Sequence, residues 1–370
     1  MRSLFITETA RREQSRHRLF NHVNKLFGQQ GIDFNILAFR ESQDEPILSV
    51  SGLDVPVQGI AMKLYKRSRK LHLWNCINNY KPDHILIGGY GFVENWIALI
   101  YAKYHKLPVT LWTGAGQITT ESNSYIKFLL KRLFVKNIDS AVTYGKNAEE
   151  YLIKLGMNPN QIHRGVNVSD VAFFKKVLND YYNSDEMLSN VKKLQRPVLV
   201  FAGRFERLKG LELLIDQLVE LPFDQYTCYF IGTGTLLSKV QQHIKDGKIN
   251  GKVFGFLVQA DVAKRLVESD IYILPSLNDP FSRTLSEALA AGCFVLNSKY
   301  DDASYDLINE GENGFIFDPR DSKQFSKYLK MLTSSEWVRP NRAEVSQSLK
   351  YDMLNYAEKI VDSVIQSVKK

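Results

Sequence analysis

Two basic residues that follow an apolar run are the first candidates for chemistry. Val198–Ala202 is rich in β-formers, and Gly203, Arg204 and Lys209 come directly after it. If this run is a strand that leads into a helix, both cations lie at the carboxyl edge of a sheet. There they can hold a diphosphate, because Arg offers a planar fork of donors and Lys a compact charge. The alternative is an ordinary loop whose basic residues are solvated.

Two acidic residues mark a second segment, which runs from Asn278 to Gly292 after the apolar run Ile271–Pro275. The spacing of Asp279 and Glu287 predicts one carboxylate in a loop and the other on the following helix. The first turn of that helix offers backbone N–H groups to an anion, and a carboxylate on it can accept hydrogen bonds from two hydroxyls, as a ribose provides. The alternative is that Asp279 only initiates the helix and Glu287 lies at the edge of the core.

Strands and helices must position these segments, and both halves of the chain alternate the two. Apolar residues recur at helical spacing in Trp96–His105 and Leu211–Val219, for example. This alternation is typical of parallel sheets with helices on both faces. The runs predicted as strands are Ser3–Thr7, Phe34–Phe39, His84–Gly88, Val109–Trp112, Ser140–Thr143, Val198–Ala202, Tyr226–Ile231, Val253–Phe254, Ile271–Pro275 and Phe294–Asn297.

A polar stretch separates the two halves, and 370 residues exceed one ordinary domain. We therefore predict two tandem doubly wound, Rossmann-like α/β domains, residues 1–180 and 198–348, joined by a linker at 181–197. The segment 349–370 is predicted to be helical. Ligands of such folds bind at the carboxyl ends of the strands, and two facing domains offer a cleft for two substrates.

Composition excludes several classes of protein. Hydrophobic residues make up 44% of the chain, which excludes wholesale disorder. The longest apolar run, Trp96–Ala102, has seven residues, whereas a membrane-spanning helix needs about 20. The start of the chain resembles no signal peptide, and three isolated cysteines fit a reducing compartment, so we expect a cytoplasmic protein. The seven histidines show no metal-ligand spacing, so we expect no metal site.

The net charge of +8 is unevenly distributed. Residues 1–180 contain 24 Lys and Arg against 15 Asp and Glu, whereas residues 181–370 contain 24 against 25. The first half should therefore favour an anionic partner. We predict peripheral docking on an anionic membrane surface, the alternative being two helices with solvated outer faces. No nucleic-acid-binding motif accompanies the charge. The basic residues predicted to dock are Lys63, Lys66, Arg67, Arg69, Lys70, Lys127, Lys131 and Arg132.

The second half resembles the donor domain of the retaining GT-B glycosyltransferases of family 4 (glycosyl transferases group 1). The resemblance runs from about Val198 to Asp318. It rests on five motifs in order: Gly203-Arg204 with Lys209-Gly210, Gly232-Thr233-Gly234, Gly255-Phe256-Leu257, Asp279 with Glu287-Ala288 and Ala290-Ala291-Gly292, and Glu310–Phe315. Asp279 stands where the family has Glu, and Ser282 replaces a frequent Gly. The first half resembles the family only in outline, so no acceptor-binding residue is transferred from it.

The resemblance implies the GT-B architecture, with an acceptor-binding domain (1–180), a donor-binding domain (198–348) and a C-terminal helix (349–370) that crosses back to the first domain. It implies that Arg204 and Lys209 stabilise the leaving diphosphate, a role that a metal has in other transferases. Asp279 would bind hydroxyls of the donor sugar and Glu287 the ribose. The other implied donor-binding residues are Gly203, Gly232, Gly234, Gly255, Phe256, Leu257, Phe281, Ser282 and Arg283.

The implied activity is a retaining, metal-independent, hexosyltransferase-type reaction. A sugar would pass from a nucleotide-diphosphate sugar, with a UDP-sugar favoured, to a glycan or lipid-linked acceptor in cell-surface polysaccharide, lipopolysaccharide or glycolipid synthesis. The protein would work in the cytoplasm, at the inner face of the cell membrane. Two alternatives stay open: a non-catalytic scaffold that binds a nucleotide sugar, and an epimerase or hydrolase of the same fold.

Overall fold

The structure is a computed structural model that describes residues 1–8, 14–39, 55, 57–59, 66–117, 124–183 and 197–369. It divides into two compact units, Met1–Asn167 with Met353–Lys370, and Val168–Asp352. Each unit is built on one parallel β-sheet. Among the described residues, no helix combines the length and the apolar character that crossing a bilayer requires.

The described strands are β1 (Arg2–Thr7), β2 (Asp33–Ala38), β3 (Val57–Gly59), β4 (His84–Gly88), β5 (Val109–Thr113), β6 (Ser140–Thr143), β7 (Ile162–Arg164), β8 (Val198–Ala202), β9 (Thr227–Ile231), β10 (Gly251–Gly255), β11 (Ile271–Leu274), β12 (Phe294–Ser298) and β13 (Gly314–Phe317). The described helices are α1 (Gln14–Gln29), α2 (Lys66–Tyr80), α3 (Val93–Tyr104), α4 (Tyr125–Lys136), α5 (Lys146–Lys154), α6 (Val171–Tyr182), α7 (Leu211–Val219), α8 (Leu237–Lys245), α9 (Gln259–Glu268), α10 (Arg283–Ala290), α11 (Ser304–Leu307), α12 (Ser322–Thr333), α13 (Arg342–Ser348) and α14 (Met353–Val368).

Both sheets are doubly wound. The first has the order β3-β2-β1-β4-β5-β6-β7 and the second the order β10-β9-β8-β11-β12-β13. The chain therefore starts each sheet in the middle, winds to one side and returns to the other, so that the order reverses between β1 and β4 and between β8 and β11. This confirms the predicted fold class. In such sheets ligands bind outside the carboxyl ends of the strands at the reversal, the topological switch point.

The central strands are largely apolar because helices cover both faces of each sheet. Every residue of β8 and β9 is buried. In the first unit, α14 packs on the sheet and buries Tyr356 and Ile360 beside Phe5 and Phe20. Polar contacts hold the same helix, since the Trp112 indole N–H donates to the Tyr356 hydroxyl.

The boundary between the units differs from the predicted one. Residues 168–180 belong to the second unit, not to the first as the range 1–180 predicts. The reason is the apolar face of α6, which buries Val171, Phe174 and Leu178, and the backbone N–H of Ser169, which donates to the Ser286 hydroxyl over 3.0 Å. Residues 184–196, nearly all of the predicted linker, lie outside the described residues.

Candidate functional site

The loops after β8 and β11 meet at the switch point of the second sheet. The first loop ends in a 3-10 turn, Arg207–Lys209, followed by Gly210 in the left-handed conformation (φ 69°). A side chain at Gly210 would overlap the carbonyl oxygen of Pro275, so only glycine permits this close approach. The Leu208 carbonyl accepts bonds from the Leu277 N–H (2.9 Å) and from the Ser276 hydroxyl (3.1 Å). These contacts fix the two loops against each other.

An ion pair links the same two loops at the level of their side chains. The Lys209 ammonium contacts Asp279 Oδ2, and the two side chains are only 18% and 7% exposed. Asp279 Oδ1 also accepts the backbone N–H of Phe281 over 3.3 Å. The structure thus brings together two of the three predicted catalytic residues, and it holds the ammonium in a fixed place at the switch point.

Arg204, the third predicted catalytic residue, lies in a different environment. Its side chain is 67% exposed, and Nη1 lies 3.3 Å from Glu206 Oε1. Such an exposed ion pair contributes little to stability. The guanidinium can therefore turn toward an anionic ligand at small cost, whereas Lys209 is already placed.

Glycines allow the loop after β9 to lie directly on the loop after β8. Gly232 (φ 135°) and Gly234 (φ 152°) both have conformations that favour glycine. Side chains there would overlap the carbonyl oxygens of Gly203 and Phe205, respectively. The Phe205 N–H donates to the Thr233 carbonyl over 2.8 Å. These two predicted glycines therefore shape the carboxyl edge of the sheet.

The predicted base-binding segment follows β10 at the same edge. The Gly255 carbonyl accepts the Gly232 N–H over 2.7 Å, which ties this turn to the preceding loop. Phe256 comes next and is 74% exposed, while Leu257 is half-buried. An exposed aromatic ring beside a ligand crevice offers a flat apolar surface on which a nucleobase can stack.

The N-terminus of α10 is occupied by side chains of the protein itself. The Phe281 N–H donates to Asp279, and the Ser282 N–H donates to Asp301 Oδ1 over 3.0 Å. The Ser282 hydroxyl bonds Thr284 Oγ1 over 2.9 Å. Two of the amides predicted to hold sugar and phosphate are thus already bonded to carboxylates, because two acidic residues converge on this turn. Arg283, the next predicted residue, is half-buried.

Asp301 is a residue of this site that sequence reasoning missed. It is fully buried, and it also accepts the Asn297 amide (2.8 Å) and the Ala303 N–H (3.1 Å). Burial, and then the nearby Asp279 carboxylate, raise the pKa of Asp301 well above its usual range. A protonated Asp301 would leave the negative charge of the pair on Asp279, where Lys209 meets it. An acidic residue just past the end of β12 was the only sequence signal.

The Glu287 carboxylate on α10 contacts Ser169 at the start of the second unit. Its Oε1 accepts the Ser169 hydroxyl over 2.7 Å, and among the described residues no hydrogen bond to Oε2 is seen. Burial raises the pKa of Glu287, and the bond from Ser169 opposes that rise. When one oxygen of a half-buried carboxylate is held in place, its other oxygen can accept hydrogen bonds from hydroxyl groups of a ligand.

Among the described residues, no three His, Cys, Asp or Glu side chains are grouped so that they could hold a metal ion.

The part of the chain that contains this site is similar to a known sequence family. Residues 183–350 match the model of the family described as Glycosyl transferases group 1. The match covers less than half of the chain and contains every residue predicted for the site.

Two curated relatives illustrate how far the similarity extends. The lipopolysaccharide core biosynthesis glycosyltransferase LpsE of Rhizobium meliloti (strain 1021) is 24% identical over 148 residues, which span 40% of this chain and 43% of that protein. The lipopolysaccharide 1,6-galactosyltransferase of Escherichia coli (strain K12) is 21% identical over the full length of both chains.

A solved structure extends the comparison to the fold of both units. Anabaena Alr3699/HepE in complex with UDP superposes with a TM-score of 0.74 at 16% sequence identity, and covers 99% of this chain and 100% of that one. At this identity the likeness shows the fold, which is that of GT-B proteins.

Proposed function

We propose that the chain is a glycosyltransferase that moves a sugar from a nucleotide-diphosphate sugar to a glycan or lipid-linked acceptor in surface polysaccharide or lipopolysaccharide synthesis. The observation that carries the proposal is the switch point of the second sheet. There Lys209 is fixed by Asp279, Arg204 is exposed on the same loop, and Phe256 is exposed at the same edge of the sheet. Two cations at such an edge suit a diphosphate.

The reaction transfers one glycosyl group from the nucleoside diphosphate to the acceptor. The bond between the anomeric carbon of the sugar and the phosphate oxygen breaks, and its electron pair leaves with the nucleoside diphosphate. An acceptor hydroxyl oxygen bonds to the same carbon, and its proton passes to the leaving phosphate or to solvent. Negative charge grows on the leaving oxygen, and Arg204 and Lys209 stabilise it electrostatically, so that no metal ion is needed.

The other site residues bind the donor. Glu287 accepts hydroxyls of the ribose through Oε2, and Phe256 with Leu257 flanks the base. Asp279 binds a hydroxyl of the sugar, since its carboxylate lies beside the ammonium that meets the diphosphate. We propose UDP as the nucleotide, which the similarity to a UDP-bound structure supports. Attack from the face that the leaving group vacates retains the anomeric configuration; no side chain is assigned as a nucleophile.

Transfer to an acceptor tests this function directly. The full chain is incubated with radiolabelled UDP-sugars and EDTA, with and without a bacterial lipid extract or oligosaccharide acceptors. Label in the acceptor fraction, with the α-anomer conserved by NMR, supports the proposal. Free sugar formed without an acceptor indicates a hydrolase, an altered sugar on UDP indicates an epimerase, and nucleotide binding without any product indicates a scaffold. Each of these three results contradicts the proposal.

A further inference from the structure

Helix α4 has an apolar face on each side. Phe134 and Val135 are buried and form its inner face. Five further apolar side chains on the same helix are between 42% and 72% exposed: Tyr125, Ile126, Leu129, Leu130 and Leu133. A helix on the surface of a soluble unit normally turns polar residues outward, so this outer face needs a separate explanation.

The exposed residues form one continuous stripe. Tyr125, Leu129 and Leu133 recur every four residues, and Ile126 and Leu130 adjoin them at the same spacing. Residues with this spacing lie on one side of a helix. The stripe therefore runs from Tyr125 to Leu133, which is about 12 Å along the 12-residue helix.

Helix α3 lies beside α4 and also exposes apolar side chains. The Trp96 ring on α3 meets the Phe134 ring on α4 edge-on, with centroids 5.0 Å apart, so the two helices are neighbours. Val93, Ile100 and Tyr104 on α3 are each more than half exposed. We call these three residues together with the stripe of α4 the α3–α4 apolar face.

Basic residues border this face. Helix α4 contains four basic residues and no acidic one, and Lys127, Arg132 and Lys136 are exposed. Lys131 differs from the prediction, since it is half-buried and donates to the Tyr151 hydroxyl over 3.1 Å. Of the other cluster predicted to dock, Lys63 lies outside the described residues, and only the backbone is described for residues 66–70.

We propose that the α3–α4 apolar face docks flat on an anionic bilayer. The stripe would lie at the boundary between headgroups and acyl chains, with Lys127, Arg132 and Lys136 on the lipid phosphates. Charge complementarity selects this occupant. A second copy packed face to face would set the bases of one α4 against those of the other, with no acidic residue on either helix to pair with them. The inference does not depend on the proposed transferase activity.

Vesicle flotation tests the docking. The purified full chain is mixed with vesicles of phosphatidylcholine alone or of phosphatidylcholine with 30% phosphatidylglycerol, at low and at 0.5 M salt. We expect flotation with the anionic vesicles, little with the neutral ones, and weaker binding at high salt. Absence of flotation with anionic vesicles at low salt overturns the proposal.

Two triple variants separate the two contributions. Lys127→Gln/Arg132→Gln/Lys136→Gln should weaken partitioning about 100-fold, given the usual contribution of each base near an anionic surface. Ile126→Ser/Leu130→Ser/Leu133→Ser should weaken it at least about tenfold. The matched controls, Lys248→Gln/Lys252→Gln/Lys330→Gln and Val219→Ser/Phe223→Ser/Val338→Ser, replace exposed residues of the second unit and should bind like the wild type.

The remaining outcomes are equally decisive. If either α4 variant binds anionic vesicles like the wild type while its circular dichroism and melting are unchanged, the face does not dock. A wild-type dimer in light scattering that the Ile126/Leu130/Leu133 variant converts to a monomer shows that a second copy covers the face, which also overturns the proposal.

Discussion

The Lys209 ammonium and the Asp279 carboxylate form an ion pair across the switch point of the second sheet, and so join the loop after β8 to the loop after β11. The pair is largely shielded from solvent, and Asp279 also caps the N–H of Phe281. The carboxylate therefore fixes the ammonium at the place where a diphosphate would bind. Structure and proposed chemistry thus depend on the same contact.

Lys209→Met should impair both turnover and folding. Loss of the charge should lower kcat about 100- to 1000-fold, the range seen when one preorganised charge-stabilising group is removed. The unpaired, buried Asp279 should also lower the free energy of unfolding by about 3 kcal/mol. UDP release and urea unfolding measure the two effects. The double variant Lys209→Met/Asp279→Asn removes the unpaired charge, so its stability should recover while its turnover stays low; recovered turnover would count against the catalytic role.

Arg204→Ala should separate catalysis from stability. The exposed guanidinium contributes little to folding, so the free energy of unfolding should change by less than about 0.5 kcal/mol, while kcat falls about 100-fold. Arg207→Ala is the matched control, because this arginine is three residues away, 85% exposed and paired with Glu212 over 2.7 Å. Equal losses of kcat in the two variants would mean that any positive charge in this loop suffices, contrary to a specific role of Arg204.

Glu287→Gln should weaken nucleotide binding through the ribose. A hydrogen bond to a charged carboxylate contributes more binding free energy than one to a neutral amide. We therefore expect the Kd for UDP to rise about tenfold. Calorimetry with UDP and with 2′-deoxy-UDP completes a double-mutant cycle. Wild-type protein should prefer UDP, and Glu287→Gln should lose most of that preference. An unchanged preference would show that another group contacts the ribose.

Asp301 should make the stability of the second unit depend on pH. Because folding raises the pKa of Asp301 above the usual 3.8, the folded chain binds this proton more tightly than the unfolded chain. The stabilisation is therefore complete below pH 3.8 and is lost as pH rises through the folded-state pKa. In urea unfolding, the stability of the wild type relative to Asp301→Asn should decline from pH 5 to pH 8. The exposed Asp224→Asn serves as control, and a difference that is flat or rises with pH would contradict the raised pKa.

Strands inside the sheets were predictable from their apolar runs, whereas the short peripheral strands were not. All ten predicted strands are present. Nine of them lie inside a sheet, where strands that are buried on both faces read as largely apolar stretches, whereas β10 is a partly exposed edge strand. The peripheral strands β3, β7 and β13 have only three or four residues, and β7 and β13 are only partly buried, so they lack that signal. The assignment of α6 to the second unit depends on which sheet its apolar face meets, and periodicity alone does not tell this.

Residues of the candidate site were predictable where the loop geometry itself requires the residue type found in the motif. Gly210, Gly232 and Gly234 are required by close approaches of backbone, so the residue type itself reports the geometry, whereas a side chain at Gly203 would make only ordinary contacts with the Phe201 ring. Asp301 was not predictable, because its relation to Asp279 and Ser282 arises from two chain segments about 20 residues apart. The exposed stripe of α4 was not predictable either, because an apolar run in the sequence does not show which face of the helix is buried.

Nucleotide binding by the second unit tests the central claim most directly. Isothermal titration of the full chain with UDP, GDP, ADP and dTDP, each with and without EDTA, measures whether a diphosphate site exists and whether a metal contributes. We predict that UDP binds with a Kd that EDTA leaves unchanged, and that Lys209→Met binds it at least about tenfold more weakly. No binding of any nucleotide to a folded sample, or binding that EDTA abolishes, would contradict a metal-free diphosphate site formed by Arg204 and Lys209.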